Sequence, residues 1–204
     1  MRFAAARSLQ RATPRTLAIA DTMHRFILCA LVWLSWNAYG DEPTWLDADR
    51  SKWPDTEFRK VKNDFAAMLL VTPDTNWKEK WDTPPDTVPR FRVAKTVKMG
   101  EQIVILTFFV NPKPDEQGNA NVICGIKVTR PNKTVSVNER NIPCMRAPLV
   151  GNPNYIRLSP AVIHFIGEKN DPLGTWVVEV DVEDVNRNTT LHLQTRFTLM
   201  RSDG

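Results

Sequence analysis

An antiparallel β-sandwich of about seven to nine short strands, with one short helix near residues 75–81, is the fold this sequence predicts. Three observations carry that expectation. Runs of alternating apolar and polar residues fill the second half of the chain, the pattern of strands with one buried face. Turn signals recur about every ten residues, the spacing of sandwiches and barrels. One run, residues 103–110, is apolar on both faces apart from Thr107, as a strand in the middle of a sheet would be.

Taken in order, residues 41–63 are polar and irregular and read as an N-terminal arm or linker carrying Trp45 and Trp53. The domain proper is expected over 64–200. It opens with Phe65–Thr72, a buried strand closed by Pro73 and Asp74. Asp74 or Thr75, with Glu79 a few positions on, is placed to cap a helix through Trp81, and Pro84-Pro85 stops it. Residues 90–97 alternate, with Phe91, Val93 and Val97 on one side. In 121–130, Val122, Cys124, Ile126 and Val128 share a face. Pro131-Asn132 turns the chain into a short strand at 134–139, and residues 140–155, with three prolines, read as irregular. Residues 156–166 form a strand interrupted at Pro160, where an edge or bulge is expected. In the last hairpin Trp176, Val178, Val180 and Val182 face one way and Glu179, Asp181 and Glu183 the other. Across the turn at 186–188, Leu191, Leu193, Phe197 and Leu199 alternate with His192, Gln194, Arg196 and Thr198. Acids on one strand then lie opposite His, Gln and Arg on the next, which suits a solvated sheet face. The expected inner-face residues are Leu69, Val104, Leu106, Phe108, Val122, Ile126, Val128, Val178, Val180, Leu193 and Phe197.

Residues 1–40 read as a leader. The uncharged apolar run 26–36 follows His24 and Arg25 and precedes Ala38 and Gly40, the layout of a cleavable secretory signal. The run is shorter than the roughly 20 residues a spanning helix needs, and translation from Met23 would give the signal ordinary proportions. Cleavage after Gly40 removes five Arg and one Asp, leaving 22 basic and 22 acidic residues. The basic balance thus belongs to the leader, and the neutral remainder is expected to bind neither nucleic acid nor, once the signal is cut, membrane. Of the three cysteines, Cys29 leaves with the signal. Cys124 and Cys144 remain as an isolated pair, expected to form a disulfide in an oxidising compartment. A zinc site would need further ligands that no Cys-x-x-Cys or His pair supplies.

Candidate chemistry is sparse. His164 lies mid-strand and His192 on the polar face of the last strand, neither with a Ser or Cys nucleophile nearby in sequence. Glu179, Asp181, Glu183 and Asp184 alternate along a strand, a poor cage for calcium. The loop 115–119 has a faint calcium-loop look that turn chemistry also explains. No catalytic, cofactor-binding or metal residue is therefore assigned, no cofactor is expected, and the chain is not expected to be an enzyme. Trp45, Trp53, Trp77 and Trp81 are the candidate contacts for a protein partner or a glycan. Trp77 and Trp81, four apart, share a helical face that would staple the helix onto the sandwich. The sequons at Asn132 and Asn188 read as turn residues.

The segments 64–74 (Asp-Phe-Ala-Ala-Met-Leu-Leu-Val-Thr-Pro-Asp), 115–122 (Asp-Glu-Gln-Gly-Asn-Ala-Asn-Val), 130–132 (Arg-Pro-Asn) and 171–176 (Asp-Pro-Leu-Gly-Thr-Trp) stand in that order. Together they resemble a family of small exported proteobacterial proteins of immunoglobulin-like sandwich character with no assigned function. The resemblance implies an immunoglobulin-like β-sandwich in the periplasm or outside the cell, and supplies no catalytic residue. The functional expectation is a non-catalytic interaction module for another cell-envelope protein. The alternatives are a carbohydrate- or peptidoglycan-binding module using exposed tryptophans, and an inhibitor or immunity protein of a cell-envelope enzyme.

Overall fold

The structure is a computed structural model, described here for residues 54–83 and 89–202. It is an immunoglobulin-like β-sandwich of two five-stranded sheets. The first sheet is built from β1 (Arg59–Lys62), β2 (Phe65–Thr72), β4 (Gln102–Val110), β7 (Arg157–Leu158) and β8 (Ile163–Ile166). It runs β1-β2-β4-β7, with β8 also pairing β4. The second holds β3 (Thr96–Lys98), β5 (Asn119–Thr129), β6 (Val135–Pro148), β9 (Gly174–Asp184) and β10 (Thr189–Met200), in the order β3-β10-β9-β5-β6. All pairings between strands are antiparallel except β3 with β10, which is parallel.

The alternating segments become strands as expected, and β9–β10 is the longest regular hairpin, in register from Thr189 opposite Asp184 to Leu199 opposite Gly174. Elsewhere the boundaries differ for identifiable reasons. The stretch assigned to the arm contains β1, joined to β2 by Asn63 and Asp64, both left-handed at φ 50° and 60°. Two left-handed residues are what a two-residue hairpin turn requires, and Asn and Asp tolerate that region. The expected strand 90–97 shrinks to β3 because Asp74 takes the Arg92 amide at 2.9 Å, and Val93 stays 67% exposed. The stretch read as irregular after residue 140 is strand as far as Pro148. Proline is tolerated there because β6 lies at the sheet edge. Pro160 splits the expected strand 156–166 into β7 and β8, which both pair with β4.

Between the sheets lies the main core, where Trp176, Val178, Val180 and Val182 of β9 meet Leu191, Leu193, Phe197 and Leu199 of β10 and Ile103, Ile105 and Phe109 of β4. Phe165, Trp176 and Phe197 form an aromatic nest with centroids 4.7–6.2 Å apart. Here one expectation is corrected. Val104, Leu106 and Phe108 are buried but do not face the inter-sheet core; they form a second cluster on the other face of β4, with Ala66 and Val110. The helix α1 (Trp77–Trp81) and Phe91 cover that face, with Trp81 and Phe91 at 5.4 and 6.1 Å from the Phe108 ring. A strand buried on both sides carries no alternation from which its facing can be read.

The cover is latched by Asp74. The expected cap does not form: the helix follows Asn76, whose side chain makes no capping bond. The Asp74 carboxylate, 2% exposed, instead accepts from Lys80 Nζ at 2.7 Å and from Arg92 Nε at 2.6 Å as well as the Arg92 amide. Burial by itself pushes this carboxyl up. The hydrogen bonds from Lys80 and Arg92, with the Lys80 charge, outweigh it and hold the group well below the usual carboxylate range.

Candidate functional site

The outward face of the second sheet carries a polar cleft of about 600 Å3. It crosses four strands: His192 and Gln194 come from β10, Glu179 and Asp181 from β9, Gly125 and Lys127 from β5, and Asn138, Glu139 and Arg140 from β6, with Glu57 and Lys60 at one end. A β-bulge shapes it. Between the Cys124–Ile142 and Ile126–Glu139 pairs, β5 supplies Gly125 alone and β6 supplies both Arg140 and Asn141, the latter left-handed at φ 57°. Such a bulge kinks the strand and takes backbone groups out of the ladder. With no side chain on Gly125, the floor between Glu139 and Asp181 stays open. A smaller recess of about 220 Å3, sharing Gly125, Arg140 and Asp181, continues toward Thr190.

Most charges in the cleft are already paired across strands. Lys127 meets Glu179 at 2.8 Å, His192 Nδ1 meets Asp181 Oδ1 at 2.6 Å, and Arg196 bonds Glu57. All three pairs are well exposed, and such pairs contribute about 1 kcal/mol or less each. Lys60, Glu139 and Arg140 make no side-chain ion pair or hydrogen bond among the described residues. The larger cleft's lining contains no Ser, Thr, Tyr or Cys, so the His192–Asp181 pair has no hydroxyl or thiol there to activate.

Beside the cleft runs an open edge. Among the described residues β6 bonds β5 on one side only, and its 14 residues are exposed or half-buried except Cys144. No strand among the described residues pairs with its other side, where Val135 O accepts from Arg130 Nη1 at 3.1 Å. Cys144 occupies a second bulge, between the Val122–Met145 and Ile123–Pro143 pairs, and is disulfide-bonded to Cys124, fastening the edge strand to its neighbour. Both cysteines are buried, and Ser159 Oγ lies 3.0 Å from Cys144 Sγ.

The residues singled out from the sequence separate widely. Trp77 and Trp81 are half-buried on α1 against the second cluster, Trp77 with its ring 6.4 Å from that of His164. His164 also bonds Gln102 at 3.0 Å. Trp45, Trp53 and the leader lie outside the described residues. The alternating acids do not converge. Glu179 and Asp181 are paired as above. Asp184 is buried and holds the Lys113 amide at 2.8 Å and Arg187 Nε at 3.2 Å. Asp115 likewise spends its carboxylate on the amides of Gln117 and Asn119 in its own turn. Among the described residues no group of three His, Cys, Asp or Glu side chains is placed to hold a metal ion, and no helix is long and apolar enough to cross a membrane. The cleft itself went unnoticed in the sequence. Its one local signal was Gly125, a glycine inside an otherwise regular strand pattern, which marks bulges and close backbone approach.

Fold and surface together define a disulfide-linked β-sandwich with a bulged, open edge strand beside a polar cleft. No family model matches the chain, and no curated protein matches it in sequence. Among solved structures it is similar to part of a family 123 glycoside hydrolase from Clostridium perfringens, at 10% identity and TM-score 0.38, covering 67% of this chain and 28% of that one. The CARDB domain of a Pyrococcus furiosus protein, solved with two metal ions, matches at 8% identity and TM-score 0.36 over 73% of this chain and all of that domain. The PKD domain of an M14-like peptidase from a Thermoplasmatales archaeon gives 18% identity and TM-score 0.30 over 52% and 86%. At these TM-scores the likenesses carry no functional argument, and the fold assignment rests on the sheet topology.

Proposed function

We propose that the chain is an exported, non-catalytic module that binds another cell-envelope protein by strand addition along β6. The observation that carries this reading is the edge itself: a long strand with one side unpaired among the described residues and nearly all of its side chains exposed or half-buried. An extended segment of a partner would gain main-chain hydrogen bonds there and side-chain contacts in the adjoining cleft. The cross-strand disulfide supports the same reading, since it holds β6 in the sheet without a covering strand and needs an oxidising compartment. Trp77 and Trp81 are used in packing, so they add nothing to the glycan alternative.

The test is cross-linking in intact cells from a photoreactive residue placed at Ser136, with the same group at Lys169 as control. The expected result is one dominant envelope protein captured from Ser136 only. Equal capture from both positions, or none from Ser136, refutes strand addition at β6. Successive amides along an edge strand alternate between ladder and solvent. Of Val137→Pro and Asn138→Pro, the variant that keeps the wild-type urea midpoint has therefore lost an outward amide, and it is expected to abolish capture.

A further inference from the structure

Where β6 ends, the chain enters a loop at 149–156 that is rigid in construction and apolar in display. Arg157 lies at its base, with Nη1 donating to the carbonyls of Pro153 and Tyr155 at 2.8 and 2.7 Å and Nη2 to those of Asn152 and Val150 at 3.2 and 3.3 Å. The Tyr155 amide returns to Asn152 O at 3.0 Å, the Asn154 amide to Asn152 Oδ1 at 2.9 Å, and the Asn111 amide ties Pro153 O to the end of β4 at 2.9 Å. Gly151 is left-handed at φ 78°, and a Cβ there would meet the Tyr155 ring at 3.3 Å, so the ring lies across the glycine. Yet the side chains this frame holds point to water: Val150 is 81% exposed, Tyr155 63% and Ile156 50%. Loop tips are ordinarily polar. Single exposed apolar residues need no explanation, but a group of them marks an interaction site.

We infer that Val150, Tyr155 and Ile156 form a preorganised apolar tip that packs against apolar side chains at the end of the partner segment bound along β6. This rests on the strand-addition reading, and it names the part of the contact that holds the complex together. A tip already fixed by four hydrogen bonds from one guanidinium loses little conformational freedom on binding, and an exposed tyrosine with branched neighbours is the composition of an interface anchor. Continuity with the open edge places the tip where a segment running along β6 would end. Charge argues against an anionic bilayer as the occupant. Residues 147–156 contain no Lys or Arg, and the Leu149 amide bonds Gly118 O at 2.9 Å, setting the loop beside a turn that exposes Asp115 and Glu116. Bilayer-binding loops are basic.

The experiment uses the purified, disulfide-intact chain and a phage-displayed library of random 16-residue peptides. Enriched peptides are expected to carry an aromatic or branched apolar residue, and their affinity should fall at least tenfold for the Tyr155→Ser, Ile156→Ser double variant, which replaces two exposed side chains and is checked for an unchanged urea midpoint. Arg157→Gln leaves the apolar side chains in place and frees the loop, so it should weaken the same peptides several-fold through lost preorganisation. Affinities that change less than twofold in the double variant overturn the inference. So does failure to enrich any peptide. Phosphatidylglycerol vesicle binding or self-association that disappears in the double variant would assign the tip to another occupant and also overturn it. Peptides lost only in the fold-neutral β6 proline variant would leave strand addition standing while the tip inference falls. Peptides lost only in the loop variants would end strand addition and keep the tip.

Discussion

Asp74→Asn removes the negative charge on which the cover over the first sheet converges. In the wild type one buried carboxylate accepts two charge-assisted side-chain bonds and one amide. Hydrogen bonds to charged groups contribute about 1.5–3 kcal/mol each, which sets an upper bound. Two features reduce it. Lys80 and Arg92 are 29% and 72% exposed, so water solvates their charges once the partner is neutral, and Asn still accepts one bond. A net loss of about 2–3 kcal/mol is expected in urea unfolding at pH 7. The variant should also lose a pH dependence. The folded Asp74 carboxyl lies below its unfolded value of about 3.9, so its contribution is present above that value and disappears as pH falls from about 4 toward the folded pKa. The gap between wild-type and variant unfolding midpoints should therefore narrow as pH falls from about 4 to 2. Trp77 and Trp81 sit on the latched helix, so their emission reports its release. A loss below about 0.5 kcal/mol at pH 7, or a gap between the two proteins that stays constant to pH 2, would refute the latch.

Two further expectations concern packing and covalent restraint. At Gly167 a Cβ would lie 2.5 Å from Leu199 Cδ1, which is itself in the core, so Gly167→Ala is expected to cost about 1–2 kcal/mol in urea unfolding. At Gly125 the same Cβ would meet Glu139 O at 3.7 Å and the Asp181 Cβ at 3.8 Å, ordinary contacts, so Gly125→Ala should leave the midpoint within about 0.5 kcal/mol; equal losses at both sites would contradict the packing described. Replacing both Cys124 and Cys144 by Ser opens a loop spanning 20 residues in sequence and should cost about 3 kcal/mol. Dithiothreitol should bring the wild type to the same midpoint, and insensitivity to reduction would mean that the link contributes nothing to stability.

The β9–β10 hairpin was legible because each strand has one wet and one dry face, so alternation in the chain is alternation in space. The cysteine pair was legible because an isolated pair leaves few partners. β1 was missed although Asn63-Asp64 between Val61 and Phe65 is a hairpin signal, since the run before it is short and charged. β6 was missed because its prolines and three register shifts erase the alternation, and an edge strand tolerates both. For β4 the strand was recognised but its facing was reversed. Leu106 and Phe108 read as core, and they are buried, but under α1 rather than between the sheets.

By itself, then, the sequence determined the β-sandwich class, the short helix, the disulfide partners and the polar character of the last hairpin's outer face, since each depends on residues near in the chain or on composition. Tertiary structure alone decided that β6 lies at an open edge, that a bulge opposite Gly125 opens a cleft across four strands, and that Arg157 freezes an apolar loop into display. Those features arise from pairings between residues distant in the chain, and register and bulge positions are set by how the two sheets bury their faces against each other.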